Sequence, residues 1–242
     1  MNFKIALFSS VLAAASIFAA DTDDKKFGEL IFHDDFERTE SQELKDEPGN
    51  GWTTSSDKTA AGQKQVDLRD GAMHMHTAEG ANHAASTRHE FSFEDGTVGM
   101  RFKLDNDSDR LQLNFADMKL KSVHAGHLFD AVVGLDKIQF EDKKTGFMDL
   151  EIRKANQAGT LSAGKKSELL KTKRKTVVNE ISKGEWHDLL VHVDGEKITI
   201  VIDGKPIGDF KSEGFAHPTK GLLRFLVPGH ASVDDVKIWR KK

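Results

Sequence analysis

Apolar and polar residues alternate with a period of two along much of this chain. Met73 and Met75 alternate with His74 and His76, and Phe91 and Phe93 with Arg88, Glu90 and Ser92. Val98, Met100, Phe102 and Leu104 alternate with Gly99, Arg101 and Lys103. Leu111, Leu113 and Phe115 alternate with Gln112, Asn114 and Ala116, and Ile138 and Phe140 with Lys137, Gln139 and Glu141. Successive side chains of a strand point to opposite faces, so this pattern predicts strands with one buried and one wet face. Phe27–Phe36 reads as the first strand, followed over residues 37–63 by a long polar loop with Trp52 as its anchor.

The stretch Gly184–Trp239 is the densest. Strand-like runs are cut at Asp194-Gly195 and Asp203-Gly204, and two more follow at Gly221–Val227 and Ala231–Trp239. Asp-Gly between alternating apolar runs is a strong hairpin signal, because glycine accepts positive φ and aspartate tolerates it. Asp70-Gly71 and Asp95-Gly96 add further turns. One segment breaks the pattern: Ser162 to Lys175 begins with a helix-capping serine and reads as a short, lysine-rich helix on a loop. The expected fold is an all-β, two-sheet antiparallel sandwich with one short inserted helix.

Of the 242 residues, the first twenty or so form a candidate secretory signal peptide: Lys4, an apolar run from Ile5 to Phe18, then Ala19-Ala20. The remainder, 21–242, is expected to be a single domain. The chain has no cysteine, so there is no lipoprotein anchor and no disulfide, which suits a secreted or periplasmic bacterial protein. The net charge of −4 gives no reason to expect a nucleic-acid partner, and no later run is long enough for a membrane span.

Asp34-Asp35-Phe36, Gly184-Glu185-Trp186, Val201-Ile202-Asp203-Gly204-Lys205 and the closing Val233-Asp234-Asp235-Val236-Lys237-Ile238-Trp239 carry a family likeness. Over most of residues 27–240 the chain resembles the concanavalin A-like lectin/glucanase superfamily, and within it the laminin-G-like and 3-keto-disaccharide hydrolase domains of secreted bacterial proteins. The resemblance implies a jelly roll of two curved sheets that binds ligands on its concave face or rim loops. It also implies pairing of the first and last strands, with a structural Ca²⁺ near Asp34, Asp35 and Asp235 (Asp234 beside them). The superfamily's glycosidases use a Glu-x-Asp-x-x-Glu strand, which this sequence lacks; the nearest run is Phe147-Met148-Asp149-Leu150-Glu151.

If the alternating residues above face the core, then His74, His76, Arg88, Glu90, Arg101, Lys103, Gln112 and Asn114 face away from it and would line one polar surface if their strands are neighbours. The candidate ligand-binding residues are His74, His76, Arg88, Asn114, His124 and His127. The candidate acid/base groups are Glu90, Asp117 and His127. His74 and His76 also have the spacing of a metal-binding pair, with His83, Glu90 or Asp117 as third ligand. Trp52 is the candidate sugar platform. The leading expectation is recognition of a polar or acidic polysaccharide. The alternatives are a glycoside hydrolase or polysaccharide lyase on the same fold, and an adhesion module that binds protein.

Overall fold

The computed structural model describes residues 26–241. The candidate signal peptide lies outside the described residues. Among the described residues, fifteen strands, numbered in chain order, form two antiparallel sheets.

The first sheet runs β13 (Lys205–Lys211), β12 (Lys197–Ile202), β11 (His187–Asp194), β6 (Gly96–Lys103), β15 (His230–Arg240), β4 (Ala72–His76), β3 (Val66–Arg69), with β1 (Glu29–Asp34) also on β15. The second runs β10 (Arg174–Val178), β9 (Lys137–Asp142), β8 (His127–Gly134), β7 (Arg110–Ala116), β14 (Lys220–Val227), β5 (Ala85–Phe93), β2 (Thr53–Thr54). First and last strands pair as expected, with Asp34 opposite Val236 and Leu30 opposite Trp239.

The alternation explains the core. Val98, Met100 and Phe102 of β6, Leu189, Val191 and Val193 of β11, and Val233, Val236 and Ile238 of β15 bury against Leu111, Leu113, Phe115, Ile138, Phe140, Leu223 and Phe225 of the opposite sheet. Removing this apolar area from water is the main stabilising term in a chain without disulfides. The Asp203-Gly204 and Asp70-Gly71 turns have positive φ at both residues (49° and 73°, 52° and 68°), the geometry that follows the twist of tight hairpins.

Trp52 is not a sugar platform. It is buried, its ring centroid lies 5.2 Å from that of Phe225, and its Nε1 donates to Asp34 Oδ2 at 2.8 Å. The lysine-rich helix is present as α3 (Ala163–Thr172), capped by Ser162 Oγ, which accepts from the Lys165 amide. A second helix, α2 (Leu150–Gln157), precedes it in the same insertion, with Asp149 accepting from the amides of Glu151 and Ile152. The run nearest to a glucanase motif is therefore a helix start. A single helical turn, α1 (Ser56–Thr59), lies in the early loop.

Candidate functional site

The expected single polar surface is split between the sheets. His74, His76, Arg101 and Lys103 belong to the first sheet, whereas Arg88, Glu90, Gln112 and Asn114 belong to the second. The strands are consecutive in sequence but alternate between layers. Alternation shows which residues avoid the core and is silent on which sheet they leave from.

On the outer face of the second sheet, one row of directly opposed residues crosses all seven strands. Arg174 (β10) faces Glu141 (β9), which faces Asp130 (β8), Asn114 (β7), Arg224 (β14), Arg88 (β5) and finally Thr53 (β2). Every member is polar. Yet Asn114 is wholly buried, and Asp130, Arg224 and Glu141 are 1%, 6% and 8% exposed. Buried charge is costly unless paired or hydrogen-bonded, so a row like this needs a chemical or structural reason.

Its hydrogen bonds form a directed chain. Lys143 Nζ lies 2.6 Å from Asp130 Oδ2, and Gln112 Nε2 donates to the same oxygen at 2.7 Å. Asn114 Nδ2 donates to Asp130 Oδ1 at 2.5 Å. This fixes the orientation of the Asn114 amide and turns its Oδ1 towards Arg224 Nη1 (2.7 Å) and His127 Nδ1 (3.0 Å). Arg224 Nη1 also approaches Nδ1, at 3.3 Å, but the shorter contact is to an amide oxygen that only accepts, so Nδ1 of His127 is assigned the proton and Nε2 keeps its lone pair. Burial, helped by the positive charges of Arg224 and Lys143, pushes the His127 pKa down to about 3. The ring is a neutral imidazole throughout the physiological range.

Arg224 is the other unusual group. No carboxylate lies within ion-pairing distance of its guanidinium or of Arg88 among the described residues. Its partners are the Asn114 amide oxygen, the Ala125 carbonyl (2.8 Å) and Met118 Sδ (3.0 Å), with His127 Nδ1 a further 3.3 Å contact. Burial and the neighbouring Arg88 lower its pKa to about 10, so it stays charged at neutral pH. Ala125 and Met118 belong to a loop over this end of the sheet, and Gly126 fixes its path. Gly126 has φ +69°, and a Cβ there would lie 2.4 Å from the Asp117 carbonyl oxygen.

The chain matches the sequence profile of the 3-keto-alpha-glucoside-1,2-lyase-like domain over residues 41–238. It belongs to that family. Solved structures of the concanavalin A-like fold superpose on this member of the family along most of its length. The Bacillus licheniformis β-glucanase has a TM-score of 0.58 at 10% identity, over 89% of this chain and 99% of that one. The Rhodothermus marinus laminarinase has 0.57 at 13%, over 88% and 97%. A non-specific endo-β-1,3(4)-glucanase of family GH16 has 0.56 at 13%, over 88% and 91%. At such identities these likenesses establish the jelly-roll fold alone. A search of curated proteins finds no match.

Within this lyase-like domain, the candidates from sequence divide clearly. Arg88, Asn114 and His127 come together in the row, and exposed His124 sits beside it, its ring centroid 6.3 Å from that of His127. Glu90 is exposed one step along β5, opposite Leu222. Asp117 binds His217 at 3.0 Å, and this contact, with the Lys119 amide, outweighs burial and holds its carboxyl below the ordinary value. It fastens the loop and is not turned to the row. His74 and His76 lie on the other sheet, apart from this site.

At the chain-end seam, Asp34 accepts from Arg38 (2.6 and 3.0 Å), Trp52 and the Phe36 amide. Asp235 pairs with His33 (2.8 Å) and Lys237 (2.9 Å), and exposed Asp35 accepts from the Glu37 amide. Asp34 and Asp235 thus face protein cations.

Sequence reasoning missed Arg224, Asp130 and Lys143. The signal was present for the first two: each is the lone charge inside an apolar run, Leu222-Leu223-Arg224-Phe225-Leu226 and Leu128-Phe129-Asp130-Ala131-Val132. Arg224 comes from the C-terminal meander, where β14 places it at the centre of the row.

Proposed function

We propose that this domain is a carbohydrate lyase acting on an oxidised sugar, with its site on the outer face of the second sheet. One observation supports this most: a neutral imidazole with a free Nε2 sits beside a guanidinium that no carboxylate neutralises. The first group is unprotonated and can accept a proton, as a weak base, and the second suits an oxygen that becomes negative during reaction.

A 3-keto-α-glucoside, the substrate class in the family's description, uses both. The proton on C2 is acidic because the C3 carbonyl adjoins it. His127 Nε2 takes that proton and the electron pair of the C–H bond delocalises to the C3 oxygen, where Arg224 and Arg88 stabilise the enolate. The enolate then collapses to a C1–C2 double bond, the C1–O bond breaks, and the leaving alkoxide takes a proton, from the His127 imidazolium or from water. The products are an unsaturated keto sugar and an alcohol, with no oxidant consumed.

Hydrolysis is less well served. Asp130 and Glu141 are the acids of the row, but Asp130 is buried with Lys143, Asn114 and Gln112 on its oxygens, and Glu141 pairs with Arg174 at 2.9 Å. Neither is free to protonate a leaving group while the other attacks. The unneutralised arginines also favour an acidic glycan as ligand. We place the activity in the periplasm or outside the cell, after removal of the N-terminal segment.

The test is a substrate panel scored for both binding and product. Incubation with 3-keto-disaccharides should release the aglycone together with an ultraviolet-absorbing conjugated product, and unoxidised glucans should give none. Binding without turnover across keto and acidic sugars would retire the lyase reading and leave a recognition domain. The calcium proposal at Asp34, Asp35 and Asp235 has its own test: melting with EDTA and with added Ca²⁺, where an unchanged midpoint would end it.

A further inference from the structure

Two residues along each strand from the row of Arg224, a second row crosses the same outer face. Thr176 (β10) faces Gln139 (β9), which faces Val132 (β8), Gln112 (β7), Leu226 (β14) and Ser86 (β5). None of the six is charged, although charged residues make up 31% of the chain. The row beside it holds Arg174, Glu141, Asp130, Arg224 and Arg88, and one step further the other way lie Lys137 and Arg110. The uncharged row is therefore a distinct surface between two charged ones. Leu226 and Val132 face away from the core, flank Gln112 and remain partly exposed.

Its position relative to His127 gives it a role. Along β7 the outward residues run Gln112, Asn114, Ala116, and His127 lies opposite Ala116. The loop carrying Met118 and Ala125 covers that end, held by Arg224 at 3.0 and 2.8 Å. The uncharged row thus lies on the far side of Arg224 from His127, in the direction the loop leaves open. At ~3.4 Å per residue the step between rows is about 7 Å, comparable to the step from one sugar ring to the next. A disaccharide whose keto ring rests against His127 and Arg224 has its other ring over Gln112, Leu226 and Val132.

The hydrogen-bonding groups of this row are largely unspent among the described residues. The Gln139 amide and the Thr176 hydroxyl bond no other protein group. Gln112 donates through Nε2 to Asp130 and keeps Oε1 as an acceptor. Ser86 Oγ accepts from Arg88 Nε at 3.1 Å and keeps its own hydrogen to donate. Aliphatic side chains interleaved with neutral donors and acceptors suit a neutral sugar, whose C–H face packs on the first and whose hydroxyls meet the second. A carboxylate or sulfate finds no cation in this row; its partners are in the arginine row.

We propose that the row Ser86–Leu226–Gln112–Val132–Gln139–Thr176 is the subsite for the leaving unit of the substrate, and that this unit is a neutral sugar. The assignment of the two rings rests on the lyase reading. The test compares a 3-keto-disaccharide with a glucosyl leaving unit and methyl 3-keto-α-glucoside, beside an NMR titration with the unoxidised glucosyl disaccharide. In Leu226→Lys and in Gln139→Ala, KM for the keto-disaccharide should rise about tenfold while kcat holds. The methyl glycoside should keep its KM, and binding of the unoxidised disaccharide should weaken by a similar factor. Both positions face solvent, melting curves check folding, and the two variants differ in chemistry, so failure of one leaves the other to decide. An unchanged KM for the keto-disaccharide, or an equal rise for both substrates, would overturn the proposal. If the unmodified protein turns over neither substrate, the lyase reading falls and the titration decides the subsite. Weaker binding in both variants then supports it, and unchanged binding, or none by the unmodified protein at about 10 mM sugar, overturns it.

Discussion

At the scale of single residues, the account turns on how a buried carboxylate sets a histidine's tautomer two groups away. Asp130 orients Asn114, and Asn114 orients His127. Asn114→Asp should therefore be harmful beyond its size, because it adds a second buried acid beside Asp130 and alters the acceptor on Nδ1. A loss of turnover of about 10²-fold or more is expected, with retained folding checked by circular dichroism. The pH profile gives a second prediction. With its pKa lowered to about 3 by burial and then Arg224, His127 stays in the base form through neutral and mildly acid conditions. kcat/KM should thus show no titration limb near the ordinary histidine value of ~6.5. The sequence made His127 and Asn114 visible as candidates. Their partners were hidden because Arg224 and Asp130 sit in runs that otherwise read as buried strand.

At the scale of elements, β14 does two jobs. Its Leu223, Phe225 and Val227 fill the core while Arg224, on the opposite face, enters the site. Its start carries Lys220, which is fully buried and donates to the Glu94 carbonyl. Burial lowers the Lys220 pKa to about 8 from its ordinary 10.5. Between those values the native state has shed the proton while the unfolded chain still holds it, so folding stability rises with pH across that window. The gain is about 3 kcal/mol at most. Melting temperature should climb from about pH 8 to pH 10, and Lys220→Met should flatten the climb.

Asp142, at the end of β9, is a second junction. It accepts from Ser212 Oγ, the Gly214 amide and Thr145, joining the second sheet to the loop after β13. Asp142→Ala should cost about 3 kcal/mol in a urea melt, because those donors lose a buried acceptor. Strand existence and the Asp-Gly turns were legible from periodicity and turn chemistry. α2 was not, because its helical pattern is short and its residues stay largely exposed.

At the scale of the whole molecule, the fold was legible and the layer assignment was not. The alternation in β4 through β9 is uniform, yet the strands go to two sheets through crossovers that only the three-dimensional packing decides. That separation moved His74 and His76 away from Arg88 and Asn114. Acid should weaken the whole structure. His74, His76, His89, His127 and His192 all have pKa values lowered first by burial, so the unfolded chain protonates before the native one as pH falls below ~6.5. The melting midpoint should decline steadily from about pH 7 to pH 5, and this is separable from activity at temperatures well below the midpoint.

The central claim is that His127 removes the proton next to the sugar carbonyl. The most direct test compares turnover of a 3-keto-α-glucoside by the unmodified protein and by His127→Gln, with melting curves for both. The account predicts a loss of roughly 10²–10⁴-fold in kcat for the variant at a nearly unchanged melting midpoint. Turnover by His127→Gln within about threefold of the unmodified protein would contradict it.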